Sequence, residues 1–463
     1  MPDPRRIGDV LWEIPASARA DMRVPARVFA DDELLSAIRE DRSLEQLQNV
    51  ACLPGIVEAS LAMPDIHQGY GFPVGGIAAT AGPDGVVSPG GVGYDINCGV
   101  RLLAAPFSAD ELGPRKESLV DEISRRVPTG AGRGGPHPLR DDELDRVLRE
   151  GPRALVEDRG LGTRDDVERT ESEGRLDAAD PEQVSERARS RGADQLGTVG
   201  SGNHFVEVQE VEEVRGEEAA GALGLSKGQV TVLIHSGSRG LGHQVCTDYV
   251  KRMDVALGRH GIELPDRQLS CAPLDSDDGR AYLAAMAAAA NFAWANRHTI
   301  ADRVRGAVRE VLGTEAADGT RQVYDVAHNV AKLEEHGGRE VCVHRKGATR
   351  AFPDQPVFIP GSMGTSSWVL VGRPGAMERS FGTVCHGAGR QLSRTGARKR
   401  IHGAELRKEL ESHGITVRCP SNRGLAEEAP FAYKEVERVV GVVERAGLAA
   451  PVAKLRPLGV VKG

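Results

Sequence analysis

Apolar residues recur at helical spacing through residues 27–50, RVFADDELLSAIREDRSLEQLQNV, behind Asp31 and Asp32, two acids suited to a helix start. From Gly55 to Phe107 the pattern changes. Short apolar runs such as GGIAAT and GVRLLAAPF alternate with glycine and proline, which predicts short strands joined by tight turns. Between about residues 140 and 195 charges of both signs alternate, and this segment is expected to be helical and exposed, as an insertion or a mobile lid. NHFVEVQEV (203–211) and QVTVLIHSGS (229–238) are β-rich again, and each carries a histidine. Residues 280–312 predict one long helix, because alanine, leucine, methionine and arginine dominate and no proline interrupts them. VYDVAHNVAKLEE, VCVHRKGATRAF and PVFIPGSMGTSSWVLVG then return to short strands and polar loops, YKEVERVVGVVERAG suits a helix, and the final GVVKG reads as a tail. With no repeat and no long linker, the expected fold class is α/β (α+β), a single large mixed domain over residues 1–463 with short strands surrounded by helices.

A chain of 463 residues buries a core large enough to need no disulfides. Its seven cysteines, at 52, 98, 246, 271, 342, 385 and 419, are odd in number, scattered and never at metal-finger spacing, which points to a reducing cytoplasm. No apolar run approaches membrane-spanning length and the N-terminus has acids and prolines where a signal peptide is apolar, so a cytoplasmic protein with no membrane partner is expected. The net charge of −8 excludes a protein that grips nucleic acid over its whole surface. HGAGRQLSRTGARKRIHG (386–403) is the exception: it contains basic residues and no acid, a local anion-binding surface.

Polar residues that interrupt the strand and glycine segments carry the candidate chemistry. Asp95 and Cys98 lie in GYDINCG, His204 in GSGNHFVEV, His235 in VTVLIHSGSRG, His328 in DVAHN and His386 in CHGAG. One thiol, one carboxylate and several imidazoles form a mixed ligand set suited to manganese or zinc, and a thiolate can bridge two ions. Taken one at a time, a lone cysteine is more often a small buried apolar residue than a ligand, and a histidine after a strand is more often a hydrogen-bonded structural residue. Four small-residue loops, GTVGSGN (197–203), HSGSRGLGH (235–243), PGSMGTSS (360–367) and HGAGR (386–390), could present backbone N–H groups to phosphate, although no Walker A pattern is present. His386, in the last of these, is open to three readings: nucleophile towards phosphorus, metal ligand or general acid–base.

Together DIHQGYGFPVGG, GGVGYDINCGVR, GTVGSGNHFVEV, IHSGSRGLGH, DVAHN, PGSMGTSS, CHGAGRQLSR and the terminal VVKG resemble, in order, the RtcB family of GTP-dependent RNA ligases. The resemblance implies two Mn2+ ions, one on Asp95, Cys98 and His204 and the other on Cys98, His235 and His328, with Cys98 bridging. It implies His386 as the residue that accepts GMP. It also implies a GTP pocket made by Asn203, His204, Phe205, Val206, Glu207, His328, Asn329, Pro360, Gly361, Ser362, Met363, Ser367, His386, Gly387, Ala388, Gly389 and Lys462. The activity implied joins RNA 2′,3′-cyclic phosphate or 3′-phosphate ends to 5′-hydroxyl ends, in tRNA splicing or RNA repair, with an archease-like activator as a possible further partner. Arg239, Arg345, Lys346, Arg390 and Arg394 are the expected RNA phosphate contacts, against the alternative of solvated surface charges. Two rival readings stand beside the ligase: a metal-dependent cyclic phosphodiesterase or phosphatase that ignores GTP, and a non-catalytic RNA-binding protein whose metal is structural.

Overall fold

The computed structural model describes residues 3–130 and 132–463. Two mixed sheets carry the architecture. The larger has the strand order Arg321–Ala327, Gly99–Ser108, Gln229–Ser236, Phe205–Val214, Ala449–Lys462, Ser367–Gly372, Pro356–Ile359, with Thr416–Arg418 added beside Ala449–Lys462. The smaller runs Arg5–Arg6, Leu11–Ile14, Ala26–Phe29, Ser60–His67, Val74–Thr80, Arg339–Lys346, Asn329–His336. The strand that leaves the larger sheet at Ala327 re-enters the smaller one at Asn329, so His328 is the hinge between them.

The long helix runs from Asp277 to Leu312, begun by the Ser276 side chain, which accepts from the Gly279 N–H, and by Asp277 and Asp278 in its first turn. Residues 285–301 are buried without a break, so this helix lies in the core instead of over it. Alanine suits that place because its small side chain lets strands and helices approach from every side. The polar residues in the buried stretch are each committed: Asn296 accepts from the Gly197 and Thr198 N–H groups and donates to the Gly237 carbonyl.

Three expectations change. Residues 27–50 form a strand, Ala26–Phe29, and two helices, Asp32–Ile38 and Ser43–Val50. The charged segment near 140–195 is helical in four short pieces, but it is not a lid: Leu144, Val147, Leu148, Leu155 and Ala188 are buried in the same apolar cluster as the long helix. Opposite charges alternate along its outer face while a thin apolar stripe carries the packing. The GVVKG end is no tail either. It closes the strand Ala449–Lys462, paired on both sides, where a run of buried apolar residues belongs.

Candidate active site

Four neighbouring strands of the larger sheet set up the site. Their antiparallel order brings to one end the C-terminus of Arg321–Ala327, the N-terminus of Gly99–Ser108, the C-terminus of Gln229–Ser236 and the N-terminus of Phe205–Val214. Gly99 pairs with both Ala327 and Ser236, and His235 pairs with both Val100 and Phe205. His328, Cys98, His235 and His204 therefore stand side by side, because adjacent strands are only about 4.8 Å apart. Spacing along the chain does not reveal this; the register does.

The contacts are close. Cys98 Sγ lies 3.2 Å from His204 Nε2 and 3.2 Å from His235 Nε2, and His204 Nε2 lies 2.9 Å from an Asp95 carboxylate oxygen. His204 Nδ1 is 3.0 Å from the Val199 carbonyl, a contact that orients the ring so that Nε2 faces Cys98 and Asp95. His328 Nδ1 bonds to Thr349 Oγ1 at 2.9 Å, and its Nε2 is buried with no partner among the described residues, as is His235 Nδ1. The His328 ring centroid stands 5.4 Å from that of His235 and 5.2 Å from that of His386. Asp95 reaches the cluster because residue 237 is glycine: a Cβ there would stand 2.3 Å from a carboxylate oxygen.

Burial and the neighbouring Asp95 push the Cys98 thiol well above its ordinary range, and burial with the adjoining imidazoles drives His235 and His328 well below theirs. Burial would also raise Asp95, but His204 and Arg239 overcome it and hold the carboxyl at about 2. A charge-poor, donor-rich corner of this kind fits a divalent cation. Ligand bonds of about 2.3 Å to sulfur and 2.0–2.1 Å to nitrogen around one ion put the two atoms roughly 3.5 Å apart, close to the spacing found here. Cys98, His204 and His235 form the tight group, with Asp95 and His328 adjoining it.

Across the same cavity, of about 240 Å³, His386 follows the short strand Thr383–Cys385. Its Nδ1 lies 2.6 Å from an Asp65 oxygen and its backbone N–H donates to that oxygen at 3.1 Å. Asp65 is fully buried and sits where the register of Ser60–His67 shifts against Val74–Thr80, a bulge that turns the carboxylate towards the histidine. The motif DIHQGYGFPVGG contained Asp65, but no signal in the sequence gave it this role. Thr349, behind His328, was missed for the same reason.

Of the expected pocket residues, the cavity wall brings together Asn203, Phe205, His328, Asn329, Pro360–Met363, His386–Gly389 and Lys462. Lys462 donates to the carbonyls of Gly202 and His204 at 2.6 and 3.3 Å, and burial lowers it to about 8. Glu207 lies beneath the wall, accepts from Gln209 at 2.6 Å and is pushed up to about 8 by burial. Val206 faces the opposite, apolar side of its strand, and Ser367 is buried, accepting from the Gln209 amide and the Gly361 N–H.

The basic residues divide. Arg390 and Arg394 line the cavity, both paired with Glu428, at 2.9 and 3.1 Å. Lys346 also lines it but is buried, held by the Tyr70 and Gly90 carbonyls and lowered by that burial to about 7. Arg239 turns inward to His204 Nδ1 at 3.2 Å. Arg345 corrects the expectation outright. It is wholly buried in a two-pronged pair with Glu334 at 2.7 Å, with further bonds to Thr383 and the Phe381 carbonyl, and no part of it is open to RNA.

Residues 46–463 match the family model described as tRNA-splicing ligase RtcB. The chain is 52% identical over 477 aligned positions to a protein named tRNA-splicing ligase RtcB from Thermococcus kodakarensis, covering 99% of this chain and 98% of the relative. It is 51% identical over 477 positions to the protein of the same name from Archaeoglobus fulgidus, with coverage of 99% and 98%. An RNA-splicing ligase RtcB from Mycobacterium tuberculosis is 50% identical over 438 positions, 90% of this chain and 100% of the relative.

Proposed function

The chain belongs to the RtcB family, and from that premise we propose that it is an RNA ligase that joins a 2′,3′-cyclic phosphate or 3′-phosphate end to a 5′-hydroxyl end at the expense of GTP. The observation that carries the reading is the meeting, in one cavity, of a Cys98, His235 and His328 donor corner with His386, a histidine whose Nδ1 is already taken by Asp65. That leaves Nε2 as the nucleophilic nitrogen.

In this scheme His386 Nε2 attacks the α-phosphorus of GTP, the N–P bond forms, the bond to the bridging oxygen breaks and pyrophosphate leaves. Asp65 holds the ring at the attacking angle and offsets the positive charge the imidazole gains. Water opens a cyclic phosphate end to a 3′-phosphate, whose oxygen takes GMP from His386 to give RNA-(3′)pp(5′)G. The 5′-hydroxyl oxygen of the second end then attacks the RNA 3′-phosphorus, a 3′,5′-phosphodiester forms and GMP departs. Asp95, Cys98 and His204 would hold one manganese ion, and Cys98, His235 and His328 a second. Bound there, such ions supply charge neutralisation on phosphate oxygens and activation of the attacking hydroxyl. Asn203, Phe205, Pro360–Met363, Gly387–Gly389 and Lys462 surround the guanylate, and Arg390 and Arg394 meet the RNA backbone.

Incubation with α-labelled GTP and manganese tests this. The wild type is expected to retain label in an acid-labile, alkali-stable bond and His386→Ala to retain none. Label retained by the variant removes His386 from its role, and a wild type that cleaves cyclic phosphate ends while ignoring GTP favours the phosphodiesterase instead.

A further inference from the structure

Arg297 lies in the middle of the long buried helix with no exposed surface. A guanidinium in such a place costs several kcal/mol unless it is paired and its donors are filled. Here they are filled in an informative way. Nη1 donates to the Asn97 carbonyl at 2.7 Å and to the Ser236 carbonyl at 2.9 Å. Nη2 donates to Asn97 Oδ1 at 3.0 Å and to Asp325 at 2.8 Å, and Nε to Asp325 at 3.0 Å. Asn97 precedes Cys98, Ser236 follows His235, and Asp325 lies on the strand that ends beside His328. One planar, five-donor group thus ties together three segments, each carrying a member of the donor corner.

The surroundings are built to admit it. A Cβ at residue 99 would stand 2.8 Å from the Arg297 guanidinium and 2.2 Å from the Val326 carbonyl, so only glycine lets the strand pass. Asn97 adopts a left-handed φ of 50°, and its amide donates to the Ala290 carbonyl at 2.7 Å, turning its own carbonyl towards the arginine.

Arg101 is the internal contrast. It too is fully buried and pairs with Asp325, at 2.7 Å, but its other bond goes to His298, so it reaches one of the three segments and does not join it to those of Cys98 and His235. We infer that Arg297 is a positioning residue that sets the separation of Cys98 Sγ and His235 Nε2, whereas Arg101 serves the fold alone. The inference rests on the metal-dependent ligase reading above.

The test uses the full chain and its Arg297→Lys and Arg101→Lys variants, with thermal melting, manganese binding by equilibrium dialysis, and the thiolate-to-metal absorption of cobalt(II) substituted at the site. Lysine keeps the charge opposite Asp325, but its three donors on one atom cannot replace the five of the planar guanidinium that reach Asn97, Ser236 and Asp325 together. Arg297→Lys is expected to weaken manganese binding by about 10- to 100-fold and to diminish the cobalt band. Arg101→Lys is expected to lower the melting temperature while retaining wild-type metal affinity. Equal weakening in both variants, or none in Arg297→Lys, overturns the inference. Where Arg297→Lys does not fold, Asn97→Gly keeps the left-handed backbone and the main-chain carbonyl but removes one acceptor. It should bind manganese several-fold more weakly, and unchanged affinity overturns the inference as well. A wild type without manganese binding or a thiolate band fails the metal reading itself, before any variant is compared.

Discussion

The cavity has two walls built by different means. On the larger sheet, Cys98, His204, His235 and His328 stand at the ends of four adjacent strands, with Cys98 Sγ 3.2 Å from both His204 and His235 and with His235 Nδ1 and His328 Nε2 buried without a partner among the described residues. On the other side, His386 has its Nδ1 taken by a buried carboxylate brought in by the smaller sheet. The first wall is incomplete as a set of protein groups and calls for a cation. The second is complete on its own and leaves a single nitrogen to react. On the ligase reading proposed above, the two tasks, holding charge and passing a nucleotide, fall to different walls and should separate on substitution.

The largest effect is expected at Cys98, the atom common to the whole first wall. Cys98→Ala should abolish manganese binding, both ions together, along with any rise in melting temperature that manganese gives the wild type. Label transfer to His386 should disappear with it. Stoichiometric manganese at wild-type affinity in this variant, measured by equilibrium dialysis, would show that the thiol is not shared and that the first wall is an ordinary packed corner.

Asp65→Asn comes next and should do the reverse. The amide oxygen can still accept from His386 Nδ1, so the ring keeps its place, but the charge that stabilises a positive imidazole is gone. Labelling by GTP is expected to slow by roughly a hundredfold or more, while manganese affinity stays within about twofold of wild type. If metal affinity falls in step with labelling, the two walls are one coupled unit and the division fails.

The sequence made the first wall far more legible than the second. Motif strings carried Asp95, Cys98, His204, His235 and His328, and the apolar pattern carried the long alanine-rich helix and the strands around residues 205 and 229 that bring them together. Asp65 and His386 are 321 positions apart and Arg297 is 200 positions from Asn97, and nothing in local periodicity links such pairs. Partnerships across that distance are decided by strand register, which a single sequence does not display. The same gap explains Arg345. With Lys346 beside it, it was expected among the RNA phosphate contacts, whereas its partner Glu334 reaches it from the adjoining strand. The segment near 140–195 misled through its charges, since the few apolar residues that fasten it to the long helix are outnumbered by exposed ones.

The smallest effect should separate the exposed from the buried arginines at the edge of this comparison. The Arg394 side chain is 53% exposed and reaches the cavity through a pair with Glu428, so it can exchange that partner for a phosphate at little cost. Arg394→Gln is expected to weaken binding of 3′-phosphate RNA only a few-fold, and to reduce the slope of log affinity against log salt by about one. Arg345→Gln, with its guanidinium fully enclosed, should lower the melting temperature and leave RNA affinity of the folded protein unchanged, because the residue it deprives is Glu334 and not a ligand. Salt titrations of both variants decide the matter. A reduced slope in Arg345→Gln would mean that the buried pair opens when RNA binds, and an unchanged slope in Arg394→Gln would move the RNA backbone away from the 386–403 segment, leaving the second wall to contact nucleotide alone.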